Sequence, residues 1–184
     1  MGTPTAFQAQ SEYIELGALT SSPSLNVVGT SSKWLTNNIT PTLSTHMSLF
    51  SFGFNSSKPK ALIVLNDDQQ PNANAAKVRF IQLFSRKDGT NQDLILSTTS
   101  SLTDISAERF TISDIPYLNT NSDFGTIELK EGSYFLTVTD AGDDTSVTNS
   151  TSTSSLFSRG KIYDVILFED KADPTNGKII VLDR

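Results

Sequence analysis

The feature that most constrains this chain is that its apolar residues fall into short segments separated by Gly, Pro, Asn, Asp and Ser. The segments are rich in β-branched and aromatic residues, which is typical of strands. The predicted strands cover 25–28, 47–54, 61–65, 78–84, 134–139, 162–168 and 179–182. Only 104–110 could form a helical turn. We therefore predict an all-β fold, specifically an antiparallel immunoglobulin-like β-sandwich.

Composition excludes several classes of protein. The chain has 184 residues, no Cys and a single His, His46, so disulfides, Cys-based metal centres and multi-His metal sites are ruled out. No apolar run approaches the roughly 18 residues that a membrane-spanning helix needs. The net charge of −6 argues against binding to a nucleic-acid backbone, because that requires a basic surface.

Internal repetition divides the chain into unequal parts. Four segments in the first part of the chain resemble four segments in the second part, in the same order. The pairs are 14–16 with 127–129, 25–28 with 136–139, 49–54 with 163–168, and 60–66 with 178–183. We predict the C-terminal part of a first β-sandwich repeat over 7–68, a polar linker over 69–75, and a complete second repeat over 76–184. The first unit would lack its opening strands, so either the natural protein is longer or the two units share sheets.

The junction between the two predicted units resembles a known family. The run from Lys58 to Asp68, followed by a short Pro-containing linker and the segment Ala76 to Leu83, is similar to the junction of tandem copies of a β-sandwich domain of unknown function. That family occurs in bacterial secreted proteins and membrane-anchored lipoproteins. The segments Thr45–Phe52, Gly132–Gly142 and Gly160–Phe168 also fit its pattern.

Two segments depart from the family pattern. The family usually follows its first strand with Ser-Pro-Asp, where this chain reads Phe-Ser-Arg-Lys-Asp over 84–88, and the loop 143–155 is unusually rich in Ser and Thr. The resemblance implies an extracytoplasmic location and a leader that this sequence does not include. It implies no catalytic residues, since none are established for the family.

A cluster of carboxylates is the one candidate metal site. Asp140, Asp143 and Asp144 flank Gly142, and clustered carboxylates at a turn can supply oxygen ligands to Ca²⁺. The spacing is not that of an EF-hand, and Asp and Gly are also the residues that a tight hairpin turn requires. We predict no cofactor and no metal site, with Ca²⁺ as the ion to consider at these three residues.

Three aromatic residues outside the clearest strands are candidate ligand contacts. Trp34, Tyr117 and Phe124 could stack on sugar rings, as exposed aromatics do in carbohydrate-binding modules. The alternative, which we favour, is that each fills a core end or anchors a loop.

No catalytic residue is predicted. His46 is the only available imidazole base, it precedes a strand, and the chain has no Gly-x-Ser-x-Gly motif. The stretch 145–155 is almost wholly Ser, Thr and Asn, and it forms either a mobile loop or a polar contact surface. We favour the mobile loop, since the stretch carries no long side chain to anchor a contact.

These observations favour a non-enzymatic module with a binding, adhesion or spacer role at the bacterial cell envelope. Its partner would be a glycan or a surface or matrix protein, not a nucleic acid, and a membrane would be reached only through a lipid anchor. Two alternatives stay open. One is a virion structural protein, such as a decoration or fibre subunit, and the other is a carbohydrate-binding accessory domain.

Overall fold

A computed structural model describes nine parts of the chain, and the following refers to them. They are residues 24–26, 33–36, 47–52, 60–65, 69–84, 90–118, 125–143, 153–170 and 176–184. Before Gln69 the description covers backbone alone, apart from Ser48 and Phe50. Within these parts every regular element is a strand, which confirms the all-β prediction.

The described residues form twelve strands. Their bounds are β1 Ser24–Asn26, β2 Lys33–Thr36, β3 Met47–Phe52, β4 Lys60–Leu65, β5 Ala75–Gln82, β6 Gln92–Ser97, β7 Arg109–Ile115, β8 Thr126–Lys130, β9 Gly132–Asp140, β10 Thr153–Phe157, β11 Ile162–Glu169 and β12 Gly177–Asp183. The first strand after Gln69 begins inside the predicted linker, because Ala75 already pairs with Lys130 of β8.

The strands from β5 onward form two four-stranded sheets. One has the order β10-β9-β6-β7 and the other the order β12-β11-β5-β8. The earlier strands form two hairpins, β1-β2 and β3-β4. All pairs are antiparallel except β5 with β11, which run parallel, so the expectation of a purely antiparallel structure is wrong at this pair. A parallel pair needs a long connection, and five strands separate β5 from β11.

The two four-stranded sheets share one buried cluster. Val78, Phe80 and Val165 come from one sheet, and Leu94 and Leu136 come from the other, and all five are fully buried. Strand side chains alternate between faces, so every second residue of the central strands enters this cluster. Burying each such side chain contributes roughly 1.5–3 kcal/mol.

Aromatic rings fill one part of this shared core. Tyr134 packs edge-on against Phe110 with ring centroids 5.9 Å apart, and Phe157 contacts Tyr163 edge-on at 5.0 Å. Tyr134 and Phe157 are themselves 6.1 Å apart, so the rings form a continuous chain through the core. Such pairs contribute about 0.5–1.5 kcal/mol beyond the area they bury.

The sheet β12-β11-β5-β8 is buried on its other side as well. We call this side, which points away from the shared core, the outer face. Ile81, Leu83, Ile166 and Phe168 form a second buried cluster there, and Phe50 of β3 packs against it. Burial on both faces explains why the β11 sequence is nearly continuously apolar instead of alternating.

The hairpins β3-β4 and β11-β12 are both regular antiparallel pairs. Phe52 pairs with Lys60 in the first, and Phe168 pairs with Lys178 in the second. Such pairing is regular within each hairpin by itself, so the repetition of 49–54 in 163–168 and of 60–66 in 178–183 stays a prediction.

The stretch 104–110, which could have formed a helical turn, holds a turn in which the Ala107 N–H donates to the carbonyl of Asp104 at 3.3 Å, and β7 begins at Arg109. The Asp104 carboxylate accepts hydrogen bonds from both the backbone N–H and the hydroxyl of Ser106. This local bonding makes a turn and competes with a helix. Arg109 then donates to the carbonyl of Ser101 at 3.2 Å, and also to that of Leu102, which closes the loop onto the start of the strand.

The predicted mobile loop over 145–155 is wrong at its C-terminal end. Thr153, Ser154 and Ser155 lie in β10, which pairs with β9. A polar segment is stable as a strand here because β10 is an edge strand. An edge strand pairs with a neighbouring strand on one side only. Residues 145–152 lie outside the described parts.

Candidate functional site

The candidate calcium residues lie at the turn that follows β9. The backbone N–H of Asp143 donates to the carbonyl of Asp140 at 2.9 Å, and Gly142 has a φ of +81°, a conformation that favours glycine. The Asp140 carboxylate accepts a hydrogen bond from the Gln92 amide at 2.8 Å. The arrangement is a tight turn whose first carboxylate is held by a neighbouring strand.

A carboxylate that sequence reasoning missed supports this turn from beneath. Asp93 of β6 is buried, and its two oxygens accept the backbone N–H of Asp114 at 2.6 Å and that of Gly142 at 3.1 Å. Asp114 has a φ of +58°, and its carboxylate in turn accepts the Asn91 amide at 2.8 Å. In the sequence Asp93 directly precedes the apolar run of β6, and a carboxylate buried there is stable only when it is hydrogen-bonded. This position is the signal that could have identified Asp93.

The described residues contain no group of three metal-ligating side chains. Asp140 and Asp143 share one turn, and Asp144 lies outside the described residues. The Asp93 carboxylate already has two backbone donors, which makes it a structural anchor for the turn. Calcium binding at this turn stays a prediction.

The structure does not bring the three candidate aromatic residues together. Tyr117 is half-buried and packs against the outer-face cluster beside Leu118. Trp34 lies in β2, with its side chain outside the description, and Phe124 lies outside the described residues, as does His46. The contact made by Tyr117 matches the loop-anchor alternative, while sugar stacking by the three residues stays a prediction.

A group of buried charges lies at the other end of the outer face. Arg79 of β5 donates through Nε and Nη2 to the two carboxylate oxygens of Asp164 on β11, at 2.9 and 2.8 Å. Arg184 approaches the same carboxylate at 3.4 Å, and all three side chains are at most 7% exposed. Arg79 and Asp164 are also direct partners in the parallel ladder. A carboxylate bonded by one guanidinium group and approached by a second ties β5 to β11 at this point of the parallel ladder.

Two titratable groups lie at the end of the molecule where β6 and β8 finish. Hydrogen bonds from the Ser106 hydroxyl and backbone N–H lower the pKa of the Asp104 carboxyl. Burial, with a smaller effect of Glu108, raises the pKa of Tyr134, whose hydroxyl donates to the carbonyl of Lys130 at 3.1 Å. Both groups act within the fold. The Asp104 carboxylate organises the loop between β6 and β7, and the Tyr134 hydroxyl joins the core to the turn between β8 and β9.

Comparison with protein-family models and with curated proteins finds no match to this chain. Among the described residues no helix is long and apolar enough to cross a membrane. The described features available for an argument on function are the two-sheet body, its anchored turns, and the outer face against which Phe50 packs.

Proposed function

We propose that the chain is a non-enzymatic extracytoplasmic module built from tandem β-sandwich units, with a binding, adhesion or spacer role at a bacterial cell envelope. The observation that carries the proposal is the packing of Phe50, from the hairpin β3-β4, onto the outer face of the sheet β12-β11-β5-β8. It supports a layer supplied by the part of the chain before Gln69, which the family resemblance of the junction segments 58–68 and 76–83 assigns to a preceding unit.

The strand arrangement from β5 to β12 supports a sandwich with features of the immunoglobulin class. The second and fifth strands of this unit, β6 and β9, pair antiparallel, as strands B and E do in immunoglobulin domains. The third strand, β7, joins the same sheet, whereas constant-type immunoglobulin domains place their third strand in the opposite sheet. The proposed class is therefore the wider sandwich architecture with its own strand order.

The mechanism is presentation of loops by a rigid body. The Asp93 carboxylate fixes the base of the β9–β10 connection to β7 and β6, so this connection starts from a defined position. Loops carried by a rigid scaffold are the usual location of binding residues. The proposed partner is a glycan or a surface or matrix protein.

The proposal is tested on the native protein in its host. Cells are fractionated, and the N-terminus of the mature chain is mapped by mass spectrometry. We expect a lipid-modified or secreted chain in the envelope or extracellular fraction. A chain that starts at Met1 and is found in the cytosol or in virus particles would contradict the proposal, and virus particles would favour the virion structural alternative.

A further inference from the structure

We propose that the open edge of β12 is an interaction surface that pairs with the same strand of a second copy of this chain, so that two copies share one continuous sheet. An open edge fits another extended polypeptide, because it offers a row of backbone N–H and carbonyl groups. Length, charge and symmetry select the second copy as that polypeptide. The inference goes beyond the proposed function and does not depend on where the protein resides.

The hydrogen bonds of β12 show which of its backbone groups are used within the sheet. The N–H of Asp170 donates to the carbonyl of Asn176 at 2.9 Å, and at the other end of the hairpin the N–H of Arg184 donates to that of Ile162, also at 2.9 Å. Both pairs continue the register of the β11-β12 ladder. Hydrogen-bonded and non-bonded pairs alternate in an antiparallel ladder, so the even-numbered residues of β12 are the ones that bond to β11.

The odd-numbered residues of β12 therefore direct their N–H and carbonyl groups away from β11. On that side the sheet has no further described strand. The side chains of these residues are directed to the core, where Ile179 belongs to the shared cluster and Val181 packs against it. A partner strand can thus bond to this edge while the core stays as it is.

The other three edges of the two four-stranded sheets are shorter or interrupted. β8 and β10 have five residues each, and β8 also carries the exposed charges of Glu128 and Lys130. The register of β7 shifts opposite 92–94, and its Asp114 has a φ of +58°. Short strands, charges and irregularities are the usual protection of an edge. β12 instead has seven residues, a continuous register and four apolar residues in a row, Ile179–Leu182.

Length selects the alignment of β12 with its own copy. The residues with free backbone groups must face each other, so an antiparallel partner can shift only in steps of two residues. Alignment about Ile180 places this residue opposite the partner's Ile180 and uses all seven residues of both strands. A shift of one step toward Gly177 leaves Leu182 and Asp183 unpaired.

Charge supports the same alignment. When the strands are centred on Ile180, Lys178 faces the partner's Leu182 and no like charges stand opposite each other. A shift of one step in the other direction brings Lys178 opposite the partner's Arg184, and like charges at opposite positions destabilise a strand pair.

Symmetry supports a second copy of β12 over any other edge of the chain. Pairing about Ile180 uses the same patch on both copies, so the contact closes after two chains. Pairing of β12 with a different edge would leave an open β12 on the next copy and would continue into a fibre. Closure by self-pairing removes both open edges at once.

Disulfide formation tests the alignment. The chain has no Cys, so Ile180→Cys introduces the only thiol. In the proposed dimer the two copies of this residue form a non-hydrogen-bonded pair with Cα atoms about 4.5 Å apart, which a disulfide can span. We expect mild oxidation to convert this variant into a linked dimer.

Lys178→Cys is the matched control on the same strand. Its side chain is 48% exposed, whereas Ile180 is half-buried, so random collision would favour the thiol at 178. In the proposed dimer the two copies of position 178 lie four residues apart along the strands, about 13 Å, which is too far for a disulfide. Linkage at 178 that is as fast as linkage at 180 would overturn the alignment.

Sedimentation tests the edge itself. We expect the mass of the natural chain to rise with concentration from 20.0 kDa to twice that value. Val181→Pro removes one N–H of the open edge and no hydrogen bond to β11, a position where an edge strand tolerates Pro. We expect this variant to stay monomeric, while Val181→Ala, which shortens the side chain but keeps the N–H, still dimerises.

A natural chain that stays at 20.0 kDa at all concentrations would overturn the proposal. So would a Val181→Pro chain that is folded by circular dichroism and dimerises as Val181→Ala does. If Val181→Pro does not fold, the comparison of Ile180→Cys with Lys178→Cys decides. None of these results depends on the location of the protein, so failure here and failure of the envelope proposal are separate.

Discussion

At the scale of single residues, the Arg79–Asp164 pair is the most demanding feature of the fold. Both side chains are about 2–3% exposed, and the two hydrogen bonds measure 2.9 and 2.8 Å. A buried pair of this kind adds little net stability compared with apolar residues, but removal of one partner leaves a buried charge without compensation. Its contribution is therefore to the register of the parallel strands β5 and β11.

Asp164→Ala should lower the free energy of unfolding by about 3–5 kcal/mol, because Arg79 would stay buried without its carboxylate. Urea unfolding followed by circular dichroism measures this change. Glu108→Ala is the control, since its ion pair with Lys130 is exposed and contributes at most about 1 kcal/mol. Equal effects of the two substitutions would show that the buried pair has no special role.

Tyr134 should make stability depend on alkaline pH. Burial raises the pKa of its phenol above the usual value of 10.0, so the folded state favours the neutral form. The resulting stability is fully present below pH 10 and is lost as the pH rises through the folded pKa. We expect the difference in unfolding free energy between the natural chain and Tyr134→Phe to be constant from pH 7 to 9 and to shrink above pH 10, as measured by urea titrations. A constant difference up to pH 11 would contradict this account.

At the scale of elements, the turns depend on two glycines that have the same backbone conformation in different surroundings. Gly125 and Gly160 both have a φ of +74°. A Cβ atom at Gly125 would lie 3.0 Å from the carbonyl oxygen of Phe80 and 3.3 Å from Ile115, whereas one at Gly160 would meet nothing within 4 Å. Substitutions at the two positions therefore distinguish the cost of the left-handed backbone conformation from the cost of steric overlap.

Gly160→Ala should cost about 1–2 kcal/mol of stability through the left-handed backbone alone. Gly125→Ala should cost a further 1–3 kcal/mol, roughly, because the backbone oxygen of Phe80 cannot move aside without disturbing β5. Thermal unfolding of both variants measures the difference. The steric argument fails if the two midpoints coincide.

The elements also show how far sequence reasoning reaches. Strands β5, β9, β11 and β12 were predictable because their apolar residues are dense, and both faces of β11 are buried. Strand β6 was missed because only three apolar residues separate its polar ends. Those polar ends are stable only through hydrogen bonds to other strands, such as the bond from Gln92 to Asp140. The parallel pairing of β5 with β11 depends on long-range packing and has no local signal.

The same limit applies to the candidate site. The turn at Asp140 was predictable from its Asp and Gly residues, which act locally. The bonding partners of the buried Asp93 beneath it were not, because Asp114 and Gly142 lie 21 and 49 residues away from it along the chain. The aromatic candidate Tyr117 was correctly placed outside the strands, but its packing against the outer face depends on tertiary structure.

At the scale of the whole molecule, the sheet β12-β11-β5-β8 joins two layers. One face encloses the core with the opposite sheet, and the other face carries the cluster against which Phe50 packs. A sheet with two apolar faces cannot be stable alone in water, because one face would be exposed. Phe50 of the hairpin β3-β4 contributes to the second layer within the same chain.

The central claim is that the hairpin β3-β4 covers the outer face of the sheet β12-β11-β5-β8 through Phe50. Side-chain nuclear Overhauser contacts in the isotope-labelled full chain test it most directly. We predict contacts between the Phe50 ring and the buried cluster Ile81, Leu83, Ile166 and Phe168. A folded chain in which the Phe50 ring makes no contact with this cluster would contradict the account.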